Sequence, residues 1–155
     1  MRGSSVRIRH PAPPFLGILI MEALATISAL INIFSKCFDL AKKLNQEERE
    51  NMCALLKDIG DLLKEVALDL SSGMYPANKC AQMEIYMQAL ETFLNGKISE
   101  QQKQQIVLWI TDAVKIEQLL GQLNGLPEDE RKFHLNGLNT LAGKFSATAR
   151  LLALQ

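Results

Sequence analysis

From Met21 onward, apolar residues return along the chain at steps of three and four. Leu24, Ile27, Ile31, Phe34, Phe38 and Ala41 fall in one stripe, which predicts a helix ending near Leu44. Asn45 followed by Glu48 has capping-box spacing, because a short polar side chain accepts from the free N–H groups of a first helical turn. The second helix places Met52, Leu55, Ile59, Leu62 and Val66 on one face and closes at Ser71-Ser72-Gly73, where glycine takes the left-handed conformation cheaply. Gly60 lies inside it at a cost of about 1 kcal/mol relative to alanine, the mark of a close helix contact. Pro76 suits the first turn of a third helix carrying Cys80, Met83, Met87, Leu90 and Leu94 as far as Gly96. Ser99 with Gln102 caps a fourth, which runs through Trp109, Ala113, Ile116, Leu120 and Leu123 to Asn124-Gly125. Pro127 opens the last helix, with Glu128, Asp129 and Glu130 at the end where the macrodipole favours them. Its apolar face is Leu135, Leu138, Ala142, Phe145, Ala149 and Leu152.

No stretch alternates with period two, so strands are not expected. Short connections between long amphipathic helices force neighbours to run antiparallel. The expected fold is therefore all-α, an up-and-down antiparallel bundle of about five helices over residues 21–155. Leu30, Ile33, Leu56, Leu63, Leu119 and Leu141 widen the stripes beyond a two-position seam, which favours a globular bundle over a coiled coil.

Residues 1–20 do not share this pattern. Arg2, Arg7, Arg9 and His10 precede the prolines 11, 13 and 14, and an apolar run then enters the first helix. Residues 15–34 carry Glu22 as their one charge, and that length nearly spans a bilayer. Glu22, Thr26, Ser28 and Asn32 oppose a membrane anchor, since a mid-span carboxylate costs about 2–3 kcal/mol. A secretory signal is a second reading, with Ala23-Leu24-Ala25 as its cleavage region, but its apolar core is short and ends on Glu22. The genetic code supplies a third. Ser4-Ser5-Val6-Arg7-Ile8-Arg9 back-translates to a string containing GGTTCGAATCC, the usual TΨC arm of a transfer-RNA gene. The favoured expectation is that residues 1–20 are a doubtful extension read through such a gene, with Met21 as the start.

Composition then narrows the function classes. Hydrophobic residues make up 48% and charged residues 22% of 155, which suits one domain able to bury a core unaided. Lys+Arg and Asp+Glu balance at 17 each, so no net field draws nucleic acid, and no basic stripe interleaves with aromatics. Cys37, Cys53 and Cys80 are odd in number, widely spaced and on apolar faces, which points to buried thiols and a reducing cytoplasm. Every glycine is isolated, so no phosphate loop is present. His134 stands apart from any metal-ligand partner, and no cysteine pair has ligand spacing. Asp58, Asp61 and Glu65 read as a solvated face offset by Lys57 and Lys64. Catalytic, cofactor and metal residues are thus expected to be absent.

Two features depart from this plain picture. The turn from Met74 to Cys80 brings Tyr75, Lys79 and Cys80 together, and Met83 and Met87 beside Tyr86 form a sulfur-rich stripe. Tyr75, Lys79, Cys80, Met83 and Met87 are the candidate interaction residues. Tyr75-Pro76, the run from Lys79 to Met83, the run from Glu117 to Leu123 and Pro127-Glu128-Asp129-Glu130 together resemble a set of short all-helical bacterial proteins, chiefly cyanobacterial. That resemblance covers Met21 to the C-terminus and implies a small cytoplasmic helical protein, with no activity or site residues to carry over. The functional expectation is a non-enzymatic module that binds a protein partner or a second copy of itself, with no nucleic acid. The alternative is a single-pass membrane protein held by residues 15–34, a membrane role that depends on residues 1–34 being a genuine anchor.

Overall fold

Six α-helices and one 3₁₀ turn account for the regular structure among the described residues. The computed structural model describes the backbone of residues 14–155 and the side chains of 25–155. The readings of residues 1–13, and those resting on the side chains of Glu22 and Leu24, lie outside the described residues.

Helix α1 spans Pro14–Ala41 and α2 spans Gln46–Ser71. The α2 cap is the expected box: Asn45 Oδ1 accepts from the Glu48 N–H at 2.9 Å, and Glu48 Oε2 accepts from the Asn45 N–H at 3.3 Å. Gly73, at φ 70°, ends the helix. The Met74 N–H then reaches Asp69 O (2.8 Å) and the Gly73 N–H reaches Leu70 O (3.1 Å), the paired bonds of a Schellman close. Helix α3 spans Lys79–Leu94, so Pro76 does not open it as expected. Pro76 is buried in the preceding turn, its carbonyl accepting from the Lys79 N–H, and Asn78 takes the N-cap at φ 63°. Helix α4 (Glu100–Ala113) has the expected Ser99–Gln102 box, and α6 spans Glu128–Ala153 behind Pro127.

The helix expected over 99–124 is broken in the structure. After α4 comes a 3₁₀ turn at Val114–Gln118, with Lys115 at φ −78° and ψ 17°, and then a short α5 at Leu119–Asn124. The apolar rhythm continues through the break, since Ala113, Ile116, Leu119 and Leu123 are all buried. Periodicity alone therefore does not register it.

Chain neighbours are not the main spatial neighbours. The most extensive helix–helix interface joins α2 to α6, and the next joins α1 to α4. Helices α2 and α6 run antiparallel: Gln46 and Glu50 lie level with Leu152 and Gln155, whereas Gly60 lies level with Ala142 and Ser146. Helix α1 runs parallel to α6, because Ile27 neighbours His134 while Phe34 meets Phe145 edge-on at 5.1 Å. Gly60 permits the close α2–α6 crossing. A Cβ there would sit 2.7 Å from Ser146 Oγ, 3.0 Å from Phe145 Cβ and 3.1 Å from the Ala142 carbonyl.

The buried stripe of α1 is rotated from the expected one by about one residue, roughly 100°. Thr26, Leu30, Ile33, Cys37, Leu40 and Ala41 are buried, as is Leu44 just beyond the helix, while Ile31 is exposed and Ile27, Phe34 and Phe38 are half-buried. An almost wholly apolar helix offers two overlapping three-four stripes, and contact with α4 selects between them.

Candidate functional site

Tyr75, Lys79 and Cys80 are held by acids elsewhere in the fold rather than by one another. Glu117, on the 3₁₀ turn, accepts from the Tyr75 phenol through Oε2 (2.9 Å) and from the Cys80 backbone N–H through Oε1 (3.0 Å). Asn78 makes no side-chain cap, so this carboxylate supplies the acceptor for a first-turn N–H of α3, where the helix dipole favours negative charge. Lys79 pairs with Glu65 of α2. The Cys80 thiol donates to the Val114 carbonyl at 2.7 Å, so the broken helix finds two of its partners on α3.

These bonds also set the ionisation. Burial first, then the charges of Glu117 and Glu84, push the Cys80 thiol up; the hydrogen bond to Glu117 does the same to Tyr75. A thiol held protonated is a poor nucleophile, and Lys79 is engaged on the other side of the turn. The arrangement works as a clasp between α2, α3 and the 3₁₀ turn. Met83 and Met87 are fully buried in the core and present no surface to a partner in this structure.

A groove of about 460 Å³ lies elsewhere, along the α2–α6 pair. Ala54, Ala142, Gly143, Ser146, Ala149 and Ala153 form its floor. Between Asn139 and Ala153 it runs for about 21 Å at the helical rise of 1.5 Å per residue, close to four turns. Lys57, Asp61 and Lys64 of α2 stand along one rim, and Arg150 of α6 stands on the other. Lys57 donates to Asp61 at 2.9 Å, which raises the Lys57 pKa, and both groups are well exposed. All five charges expected to form a solvated face are exposed, and three of them, Lys57, Asp61 and Lys64, also edge this channel. Small residues at 142, 143, 146, 149 and 153 recur along one side of α6, a signal visible in the sequence but indistinguishable there from ordinary helix packing.

A second apolar groove lies between α1 and α6, with Ile31 and Phe133 at its mouth. Phe133 is 72% exposed and touches the buried His134 edge-on at 5.6 Å. No group of His, Cys, Asp and Glu among the described residues is placed to hold a metal ion. Among those residues, likewise, no helix is long and apolar enough to cross a membrane. The part of residues 15–34 with described side chains buries Thr26, Ala29, Leu30 and Ile33 in the fold. No protein-family model, curated protein or solved structure matches the chain.

Proposed function

We propose that the chain is a non-enzymatic protein-interaction module of the cytoplasm, binding another protein or a second copy of itself. The α2–α6 groove is the observation that supports this reading. Its floor is apolar and its length suits a helix of three to four turns, the helix-in-groove mode of recognition. Gly143 adds a second argument. A Cβ at this exposed helical position would meet nothing within 4 Å, so the intramolecular packing makes no use of its absence. Glycine there costs about 1 kcal/mol of helix stability relative to alanine, and an external element approaching the floor is what would benefit.

Three free thiols, two of them buried, suit a reducing compartment. Static light scattering and affinity capture with the full chain test the reading. The expected result is association, with itself or with a co-purifying protein, that Gly143→Trp weakens at least tenfold. A strictly monomeric chain with no Gly143-sensitive partner would remove it.

A further inference from the structure

Helix α3 has a second face that its own fold does not cover. Taking about 100° per residue, Met83, Met87, Leu90 and Leu94 point together into the core, where all four are buried. Directly opposite stand Ala81, Ile85, Ala89 and Thr92, all exposed, with Ile85 63% accessible at the centre. This ridge carries acids along one side only: Glu84 and Glu91, seven residues apart, with Gln88 between them.

That order is the counterpart of the α2 rim of the groove. Lys57 and Lys64 are also seven residues apart, with Asp61 between them. Both charged pairs therefore span about 10 Å along their helices. When the two edges face each other, each lysine meets a glutamate and Asp61 meets the amide donor of Gln88. The match is closest for parallel helices, where both edges step by four and then three residues; run antiparallel, the lysines still meet the glutamates but Asp61 and Gln88 fall about one residue out of step. The Ile85 ridge would meanwhile lie on the small-residue floor.

From this complementarity we infer that the groove takes the α3 ridge of a second copy of the chain. The inference rests on the reading of the chain as an interaction module and names its partner. Such a contact is heterologous, since the ridge and the groove are different surfaces of one molecule. Each bound pair still offers one free groove and one free ridge, on different copies, so assembly continues head to tail until it closes in a ring or extends as a filament.

Mixing two variants, each disabled on one side, tests the inference on the full chain. Ile85→Glu removes the ridge at an exposed position, and Gly143→Trp fills the groove from a Cβ that faces open space. Sedimentation velocity should show wild-type association growing with concentration beyond a dimer, and each variant alone should remain monomeric. An equimolar mixture of the two should then form a heterodimer and nothing larger, because one intact ridge and one intact groove remain. Circular dichroism and thermal melting confirm that each variant is folded. As a second measurement, Lys57→Glu with Lys64→Glu should weaken association at least tenfold, and mixing with Glu84→Lys/Glu91→Lys should restore it. Wild type that stays monomeric, or a mixture that yields no heterodimer, overturns the inference. Association that neither Ile85→Glu nor Gly143→Trp alters also overturns it, while leaving the chain an interaction module through another surface.

Discussion

Glu117 shows how much one side chain can hold. Its two oxygens close the N-terminus of α3 and anchor the Tyr75 phenol, joining two segments far apart in the chain. Glu117→Ala leaves a partly buried N–H without its carboxylate and should cost about 1–2 kcal/mol, the usual range for a lost cap. Glu117→Gln keeps an acceptor and should recover most of that loss. Urea unfolding supplies the stabilities, and faster hydrogen exchange at the Cys80 amide should single out the alanine variant.

Cys37 makes a different prediction. Burial pushes its thiol up to about 12, whereas an unfolded cysteine titrates near 8.5. The native state therefore holds its proton longer than the unfolded state. Its contribution to stability is complete below about pH 8.5 and is lost as pH rises toward the folded value, at up to about 1.4 kcal/mol per pH unit. Tyr75, Cys53 and Cys80 are raised as well and act in the same sense. Urea midpoints should fall steadily from pH 9 to 11 in the wild type and more gently in Cys37→Ala, whose packing cost does not vary with pH.

At the scale of elements, glycines separate tight contacts from open ones. Gly60→Ala gains helix propensity but drives a Cβ against Phe145 and the Ala142 backbone, which have little freedom to move. Overpacking of this kind costs about 1–3 kcal/mol and should dominate. Gly121 and Gly137 have nothing within 4 Å of a built Cβ. Each should gain about 0.5–1 kcal/mol as alanine. Melting temperatures moving in opposite directions for the two sets would confirm the assignment of contacts.

The same scale shows what the sequence could convey. The capping boxes at Asn45 and Ser99 and the stops at Gly73 and Gly96 follow from short-range chemistry and are readable from neighbouring letters. The phase of α1 is not, because a helix apolar on nearly every side satisfies two stripes and tertiary contact chooses one. The break at Val114–Gln118 is likewise tied to partners on α3, thirty or more residues away in the chain. Among the candidate interaction residues, Tyr75 lies in the turn and Lys79 and Cys80 open α3, and spacing could not supply their partners, Glu117 and Glu65. The groove leaves no distinctive mark in the sequence pattern, because small residues that carry no chemistry of their own line it.

Across the whole molecule, Phe145 is the point where the layers meet. It is fully buried, packs edge-on to Phe34 of α1 and flanks Gly60 of α2. Phe145→Ala should cost about 3–5 kcal/mol. That is a large share of the roughly 5–15 kcal/mol that holds a domain of this size together. Because three helices lose contact at once, calorimetry should record one cooperative transition at lower temperature rather than the separate melting of α6.

The pairing of α2 with α6 also imposes an order on synthesis. Helix α2 closes at Ser71, and the helix that covers its apolar face begins only at Glu128. At translation rates of roughly 5–20 residues per second, that face waits several seconds at the ribosome before its mate emerges. A nascent chain exposing the face around Gly60, with Cys53, Leu56, Leu63 and Ala67 beside it on the helix, for so long is a ready client for chaperones, and slow codons between α3 and α6 would lengthen its exposure.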